Sequence, residues 1–478
     1  MKRIRLSGIF ILLIVLAMTA IQSCRDFEQT DDSAQNAHTY NSKVFHEWNT
    51  VFLEIERYAR GYRPGPAPRA LAYMGLSAYE AIVPAIPENN SLKNQFPGLT
   101  IPDRNASEEI YWPAAVNASY AYLMKRFFFH IENEYATLYN RINLKEIQLH
   151  NQYAEETSPE ILERSETWGR NVAIAVYQWS QNDTYGHNAF LNPQPFEAPA
   201  PAPGKWHSQT GARGMFPYWG QVRTFALNET DKLARAPIPY SEDPNSLFYH
   251  QAEEVYKTVK LINEQPNSPA GYEYKWIAQF WSDDLLGLTF SPPPRLLAIA
   301  DQIVEDEALD LAQAAELYAK LGMALHDNAV AIWHSKYHYN VERPDTYIRR
   351  VLAGKYADAA DWETILHNPL TGERNITPAF PAYPSGHSGF GAAGSKILSS
   401  FFEFNSEHPG TYTFTDQCHL GRTEFLGVPR TFASLTEVGQ EDAYSRIPLG
   451  VHYRMDCDEG LRVGNIAAQR VLELPWKK

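Results

Sequence analysis

The chain has 478 residues, of which 44% are hydrophobic, 21% are charged and 13% are aromatic. This length and apolar content predict one large or two ordinary globular units, and they exclude peptide hormones, knottins and wholesale disorder. The formal net charge of −14 would repel a phosphate backbone. It therefore argues against nucleic acid as a partner, and any bound anion needs a local cationic site.

The N-terminus has the layout of an export signal. Basic residues precede an apolar run over residues 9–21, which is too short to span a bilayer comfortably. The run closes on Ile-Gln-Ser-Cys, which resembles the lipobox of bacterial lipoproteins, although Gln22 is a looser fit. We expect a signal peptide at 1–23, acylation of Cys24 and a polar tether at 24–41. The protein would then be exported and lipid-anchored in a bacterial cell envelope, on the periplasmic face or the cell surface; ordinary signal cleavage is the alternative.

The cysteines predict neither a disulfide framework nor a zinc site. If Cys24 carries lipid, only Cys418 and Cys457 are left to pair, and the sequence leaves that pairing open. Neither the Cys-x-x-Cys nor the His-Glu-x-x-His spacing of zinc sites occurs.

Helical periodicity dominates residues 42–185, which we take as the N-terminal helical region. Ser158 and Pro159 supply an N-cap and a first-turn proline for one of its helices. The apolar face of that helix is marked by Ile161, Trp168, Val172, Ala175 and Trp179.

The apolar residues lose their helical periodicity over residues 186–246. Five prolines occur from Pro193 to Pro203, and an aromatic stretch follows at 215–220. Long irregular segments in compact proteins are usually functional or linkers. Its aromatic content predicts that this one packs across the body.

Helical periodicity returns over residues 247–478, the predicted C-terminal catalytic region. Leucines and an isoleucine mark one face of a helix expected from near Asp306 to Trp333. Weak alternation over 411–415 indicates one small ribbon. The predicted fold is all-α: two packed helical bundles with a long irregular segment rich in proline and aromatic residues, and at most a small β-ribbon.

Composition and helicity alone also fit a helical glycan-binding lipoprotein, since tryptophan and tyrosine faces stack on sugar rings. That function predicts no particular cluster of cations and histidines. Three segments of the C-terminal third do contain cations and histidines, and they therefore decide whether the protein is a binding module or an enzyme.

The first segment contains two cations. Lys336 and Arg343 lie seven residues apart, close to two helical turns, so a helix that persists that far would direct both at one anion. Pro344 biases Arg343 toward extended backbone and predicts a helix end there. Two solvated surface charges are the alternative for this segment alone.

The second segment, Pro-Ser-Gly-His at 384–387, precedes small residues and predicts a loop that enters a helix N-terminus. The free N–H groups and positive dipole of such an end suit an oxyanion. Ser385 and the Gly386 amide can donate to it, and His387 can exchange protons beside it. An ordinary turn is the alternative.

The third segment begins at Ser445 and adds a third cation, Arg446. His452 and Asp456 are four residues apart, so on a helix the carboxylate can accept one ring N–H. The other ring nitrogen is then free as a ligand or nucleophile. A structural hydrogen bond is the alternative.

Together the segments resemble the signature of vanadium-dependent haloperoxidases and type 2 phosphatidic acid phosphatases. That signature is Lys-x6-Arg-Pro, Pro-Ser-Gly-His and Ser-Arg-x5-His-x3-Asp, and all three parts occur here in order between Trp333 and Asp456. The resemblance implies an oxyanion, vanadate or phosphate, whose oxygens are bound by Lys336, Arg343, Ser385, Gly386 and Arg446.

The resemblance also implies the remaining roles. His452 would coordinate vanadium in a haloperoxidase or attack phosphorus in a phosphatase, which needs no cofactor. His387 would be the acid–base residue, Asp456 would orient His452, and Lys336 would also polarise hydrogen peroxide.

Other residues favour the soluble, bacterial vanadium chloroperoxidase-like branch. After Cys24 no apolar run is long enough to thread a membrane, as the lipid phosphatases usually do. Trp333 and Phe380 resemble the aromatic residues that wall the cofactor and halide pocket of that branch; core packing is the alternative. Segments 280–284 and 292–294 also resemble bacterial haloperoxidases.

The implied reaction is oxidation of a halide by hydrogen peroxide to hypohalous acid, which halogenates a small organic acceptor. Iodide or bromide is favoured because iodide is the easiest halide to oxidise. The main alternative is an exported acid phosphatase that hydrolyses phosphomonoesters through a phosphohistidine. His334 and His338 match no superfamily position and are expected to be packing or surface residues.

Overall fold

A computed structural model describes residues 36–191, 200–208, 213–403 and 410–478. The predicted signal peptide, Cys24 and most of the tether lie outside these residues. The described helices are α1 Lys43–Glu56, α2 Pro66–Ile82, α3 Trp112–Phe127, α4 Ala136–Tyr153, α5 Pro159–Gln181, α6 Leu247–Glu264, α7 Pro269–Phe280, α8 Pro292–Asp306, α9 Leu311–Tyr339, α10 Pro344–Val351, α11 Gly386–Phe402, α12 Leu435–Leu449 and α13 Arg454–Leu472. The predicted all-α fold is confirmed.

Helix α5 begins where its sequence indicates. The Ser158 hydroxyl accepts a hydrogen bond from the Ile161 amide at 3.3 Å, and Pro159 takes the first helical position. Trp168 and Trp179 on its apolar face are buried against the other N-terminal helices. This burial of one face is what holds an otherwise polar helix in place.

Helix α9 is the central element of the fold. Gly75 of α2 lies so close to it that a Cβ there would approach the Ala319 backbone to 2.8 Å. The C-terminal half of α9 packs on α11 and α13. One helix thus joins the N-terminal and the C-terminal helices in a continuous core.

The start of α9 differs from the prediction. The single helix expected from near Asp306 is interrupted, because α8 ends at Asp306 and α9 begins at Leu311. Between them Ala308 adopts a left-handed φ of 50°. Asp310 then caps α9 in a capping box with Gln313, which fixes a new helix start.

The described parts of residues 186–246 contain two short 3-10 turns, Ala189–Leu191 and Trp219–Gln221. The segment packs on α9, since the Asp327 carboxylate accepts hydrogen bonds from three successive backbone amides at 225–227. Trp219 and Phe225 are buried there. The aromatic residues therefore attach the segment to the body.

A small antiparallel ribbon accompanies the helices. Strand β1, Phe414–Asp416, pairs with β2, Arg430–Phe432, in the register Phe414 opposite Phe432. Cys418 and Cys457 are both free thiols, so no disulfide joins them. Among the described residues, none of the helices combines the length and the apolar character needed to cross a bilayer.

Candidate active site

Lys336 lies in the last turn of α9, whereas Arg343 is the N-cap residue of α10. Helix α9 ends at Tyr339, where Asn340 adopts a left-handed φ of 51°, so the helix does not persist to Arg343 and the two cations do not share a helix face. Arg343 instead precedes α10 with φ −78° and ψ 153°, the extended backbone that Pro344 requires. The turn between the helices, rather than a shared helix face, brings the two cations together.

Both cations are held by the loop that precedes α11. Lys336 Nζ donates to the carbonyl oxygens of Pro381 and Ala382, each at 2.8 Å, and Arg343 Nε donates to the Phe380 carbonyl at 3.0 Å. The centroid of the Phe380 ring lies 5.0 Å from Lys336 Nζ and 5.0 Å from Arg343 Cζ. The loop therefore fixes both side chains in the protein interior.

Residues 385–387 form the N-terminus of α11, as predicted. Ser385 is the N-cap, and its hydroxyl accepts from the Ser388 amide at 3.3 Å. The Ser385 amide donates to the Asp456 carbonyl at 2.8 Å, which ties the end of α11 to α13. Gly386 is buried in the first turn, where helix N–H groups are available to an anion.

His387 has an unsatisfied ring nitrogen. Its Nε2 atom is buried and has no hydrogen-bond partner, and it lies 3.8 Å from Asp284 Oδ2. Burial, followed by the nearby Arg446 charge, lowers the pKa of His387 well below its usual value. The ring is therefore neutral at physiological pH and its Nε2 can take up a proton.

Arg446 projects from the last turn of α12. It donates to Asp284 Oδ2 at 2.7 Å and to the Trp281 carbonyl at 3.1 Å. Segment 280–284 resembles bacterial haloperoxidases in sequence, but the sequence predicts no role for Asp284. The sequence feature that could have indicated a role is the adjacent pair of acids, Asp283 and Asp284, in an aromatic segment. The pairing of Asp284 with an arginine 162 positions away can be seen only in the folded structure.

His452 precedes α13, and Asp456 lies in the first turn of that helix, so the two residues do not share a helix. Their predicted pairing nevertheless forms, with His452 Nδ1 2.9 Å from Asp456 Oδ2. Asp456 also accepts from the Tyr453 amide at 3.0 Å, which orients the carboxylate. A carboxylate that accepts the Nδ1 hydrogen leaves a lone pair on Nε2.

The lone pair of His452 lies among the cations. His452 Nε2 is 3.1 Å from Arg343 Nη1, and both side chains are buried. Burial, and then the charges of Arg343 and Lys336, lower the pKa of His452 well below its usual value. A neutral imidazole in this position is a ligand or a nucleophile.

A cavity of about 240 Å³ lies at this site, and Gly386 is part of its lining, whereas Lys336, Arg343 and Ser385 lie behind the lining residues. Trp333 and Phe380 form part of its wall, with ring centroids 5.0 Å apart at 57°. The Trp333 indole donates to the Met215 carbonyl at 3.1 Å, so the irregular segment also positions this wall. The cavity lining further includes His387, Arg446 and His452.

The donor set fits an oxyanion. Arg343 Nη2 and Arg446 Nε are buried without hydrogen-bond partners. Arg446 is balanced by Asp284, whereas the described hydrogen bonds of Lys336 and Arg343 go to backbone carbonyls and His452. An anion with several oxygens would satisfy the free N–H groups and this positive charge.

A bare metal cation does not fit the described part of the chain as well. The described residues contain no group of three or more histidine, cysteine or carboxylate side chains placed to hold a metal ion. His334 and His338 stack on each other on α9, half-buried and exposed respectively, away from the cavity lining.

Comparison with known proteins agrees with this geometry. Residues 316–475 match the family model described as the VCPO second helical-bundle domain. The vanadium chloroperoxidase of Curvularia inaequalis is 27% identical over 289 residues, which are 50% of this chain and 46% of that protein. The chain thus aligns with about half the length of this curated relative.

Solved structures extend the likeness to nearly the whole chain. The crystal structure of the first bacterial vanadium-dependent iodoperoxidase superposes with a TM-score of 0.75 and 25% identity, covering 91% of this chain and 97% of the other. A holo-type bacterial vanadium-dependent chloroperoxidase gives a TM-score of 0.59 and 16% identity over 87% of this chain and 94% of the other. The resemblance inferred from the three sequence segments is confirmed.

Proposed function

We propose that this chain, whose C-terminal region matches the VCPO second helical-bundle domain and whose fold is similar to that of bacterial vanadium haloperoxidases, is a vanadate-dependent haloperoxidase. It oxidises a halide, with iodide or bromide favoured, by hydrogen peroxide to hypohalous acid, which then halogenates a small organic acceptor. The observation that carries the proposal is the lone pair of His452 Nε2 among three buried cations, beside an aromatic wall.

The residues of the cavity would divide the binding of vanadate among them. Lys336, Arg343 and Arg446, with the Ser385 hydroxyl and the Gly386 amide, would bind its oxygens, and His452 Nε2 would bond to vanadium. Bound vanadate supplies a Lewis acid that polarises peroxide for attack by halide.

During the reaction His387 would accept a proton, and Lys336 would donate a hydrogen bond to a peroxide oxygen. The free Nε2 of His387 can accept a proton from hydrogen peroxide as it enters the cavity. Lys336 already uses two of its N–H groups on the loop carbonyls, so its third is left for a peroxide oxygen. Both groups are buried, where electrostatic interactions are stronger than in water.

Trp333 and Phe380 would wall the halide site. Their rings exclude water from one side of the cavity, and halides other than fluoride are weakly hydrated anions that tolerate an aromatic edge. The two rings are themselves fixed, through the Trp333 indole and through the cations packed on Phe380. The halide would therefore meet the oxidant in a preformed space.

The proposal is tested with phosphate-free protein supplied with vanadate, hydrogen peroxide and either iodide or bromide. Halide oxidation should appear with vanadate and saturate as vanadate is raised, and it should be absent without vanadate. A phosphomonoester is offered to the same preparation in the absence of vanadate. Hydrolysis of that ester through a phosphorylated His452, with no halide oxidation, would contradict the proposal and identify a phosphatase.

A further inference from the structure

A buried carboxyl group in the cavity wall is not used by the mechanism above. Asp283 is 1% exposed and lines the same cavity as His387 and Arg446. Neither of its carboxyl oxygens has a hydrogen-bond partner. An ionised carboxylate in such a place would lose its hydration without compensation, so this group needs a proton or a cation.

The neighbouring arginines are already paired with other acids. Arg295 donates to Asp416 at 2.7 Å, and Arg446 donates to Asp284 at 2.7 Å. Arg63 Nε lies 3.4 Å from Glu56 Oε1. Asp283 is thus an additional acid next to a set of matched ion pairs.

The other groups around Asp283 add no free cation. His419 Nε2 is 3.7 Å from Asp283 Oδ1, but burial lowers the pKa of His419 well below its usual value, which leaves that ring neutral. Asp442 on α12 is a further buried acid nearby. The charged and titratable groups facing Asp283 are Arg63, Asp284, Arg295, Cys418, His419, Asp442 and Arg446.

We propose that Asp283 is the proton reserve of the cavity: a neutral carboxylic acid that supplies the proton consumed in halide oxidation. This inference rests on the proposed function. In this role Asp283 is a general acid that delivers its proton within the cavity, and it is not a ligand of the cofactor.

Oxidation of a halide by hydrogen peroxide consumes one proton, which a neutral carboxyl group can supply. The O–O bond of hydrogen peroxide breaks and a halogen–oxygen bond forms, while the halide loses two electrons that the peroxide gains. The second peroxide oxygen would leave as hydroxide, and one proton converts it to water. The Asp283 carboxyl gives up that proton and becomes a carboxylate, which solvent then reprotonates through the cavity.

The electrostatic surroundings support a group that can both hold and release a proton near neutrality. Burial raises the pKa of Asp283 to about 7, and the largest opposing effect is the Arg295 charge. A carboxyl with that pKa is protonated at pH 6 and ionised at pH 8, so the wild-type rate should fall as the pH rises through about 7.

Infrared spectroscopy of the vanadate-free protein tests the protonation state without any catalysis. The difference spectrum between wild type and Asp283→Asn at pH 6 should show the carbonyl stretch of a neutral carboxylic acid, and the band should disappear as the pH rises through about 7. Asp361→Asn, at an exposed carboxyl, is the matched control and should remove no such band. A difference spectrum without such a band would overturn the proposal, whereas bands from other buried acids such as Asp442 cancel because they occur in both proteins.

The pH profile of iodide oxidation at saturating vanadate tests the role. Asp283→Asn replaces a neutral acid by a neutral amide of the same shape, and we expect at least a tenfold lower kcat at pH 6, converging on wild type at higher pH. Asp283→Glu should restore both the band and the rate. Identical pH profiles for wild type and Asp283→Asn would refute the role of Asp283.

If the wild type oxidises no halide at all, the proposed function fails, while the infrared result still decides whether Asp283 holds a proton.

Discussion

At the scale of single residues, the two buried histidines of the cavity have different partners, although burial depresses the pKa of each. His452 is oriented by Asp456 through Nδ1, which directs its lone pair at the cations. The nearest acid to His387 Nε2, Asp284, lies 3.8 Å away and is already bonded to Arg446. The first environment suits a fixed ligand, and the second suits a group that gains and loses a proton.

Replacing His452 by alanine should weaken vanadate binding. The change removes the proposed bond to vanadium and leaves the hydrogen bonds of Lys336, Arg343 and Arg446, which can hold an oxyanion loosely. We therefore expect a higher vanadate concentration for half-saturation together with loss of halide oxidation. A calorimetric titration of vanadate into the phosphate-free variant measures the first effect directly.

Replacing His387 by alanine should separate binding from rate. The cations and His452 remain in place, so vanadate should bind with near wild-type affinity. Turnover should fall by roughly two to four orders of magnitude, the range of one general acid–base group. Equal loss of vanadate binding in the His387→Ala and His452→Ala variants would contradict the roles assigned to the two histidines.

At the same scale, the sequence identified the residues whose spacing is local. Lys336, Arg343, Ser385 and His452 follow from short segments that keep their order. Asp284 and Asp283 could not be assigned roles in this way, because their partners are brought to them by the packing of α8 and α12. A role that depends on a distant partner has no signature in one sequence.

At the scale of elements, glycines let α13 approach the N-terminus of α11. A Cβ on Gly460 would lie 2.6 Å from the Ser385 carbonyl oxygen, and one on Gly464 would lie 2.1 Å from the Gly389 carbonyl oxygen. Both contacts are closer than real Cβ atoms allow. The position of the Ser385 cap therefore depends on the absence of a side chain at Gly460.

The two glycines provide a matched pair of variants. Gly460→Ala and Gly464→Ala should each destabilise the protein by about 1–3 kcal/mol, as overpacking usually does. Gly460→Ala should also lower vanadate affinity, since it displaces Ser385, which caps α11 and is proposed to bind the oxyanion. Denaturant unfolding and vanadate titration measure the two effects. Vanadate affinities that fall equally in both variants would show that the effect comes from general loosening.

The ends of α9 show what helix periodicity cannot predict. Its apolar face was visible in the sequence, but its start at Leu311 depends on the capping box at Asp310. Its end depends on the left-handed conformation of Asn340, a residue that tolerates this conformation better than most, yet also occurs inside helices. Periodicity locates a helix, and side-chain capping sets its bounds.

At the scale of the whole molecule, α9 has Lys336 near its C-terminal end. Along the rest of its length it packs on the N-terminal helices, α2 above all. The irregular segment joins the same helix through Asp327 and through the Met215 contact with Trp333. Composition could predict that this segment packs on the body but not where. Its position follows from which backbone amides the Asp327 carboxylate can reach.

Residues 1–41 lead to the proposal that the protein is exported and lipid-anchored through Cys24. Expressed with these residues in a bacterial host, the wild type should be recovered in the membrane fraction. Cys24→Ala should release it, because the lipid is its proposed anchor. Cys418→Ala, which removes a thiol of the folded body, is the control and should leave partitioning unchanged. Unchanged partitioning of Cys24→Ala would point to another anchor or to ordinary signal cleavage.

The central claim is that the cavity of this protein binds vanadate for halide oxidation, and vanadium content tests it most directly. Phosphate-free protein is incubated with vanadate, desalted and analysed for vanadium, and its iodide oxidation is measured in the same samples. We expect about one vanadium per chain, displacement of that vanadium by excess phosphate, and a rate of iodide oxidation proportional to the vanadium retained. A protein that retains no vanadium, or that oxidises iodide equally well after phosphate has displaced the vanadium, would contradict the claim.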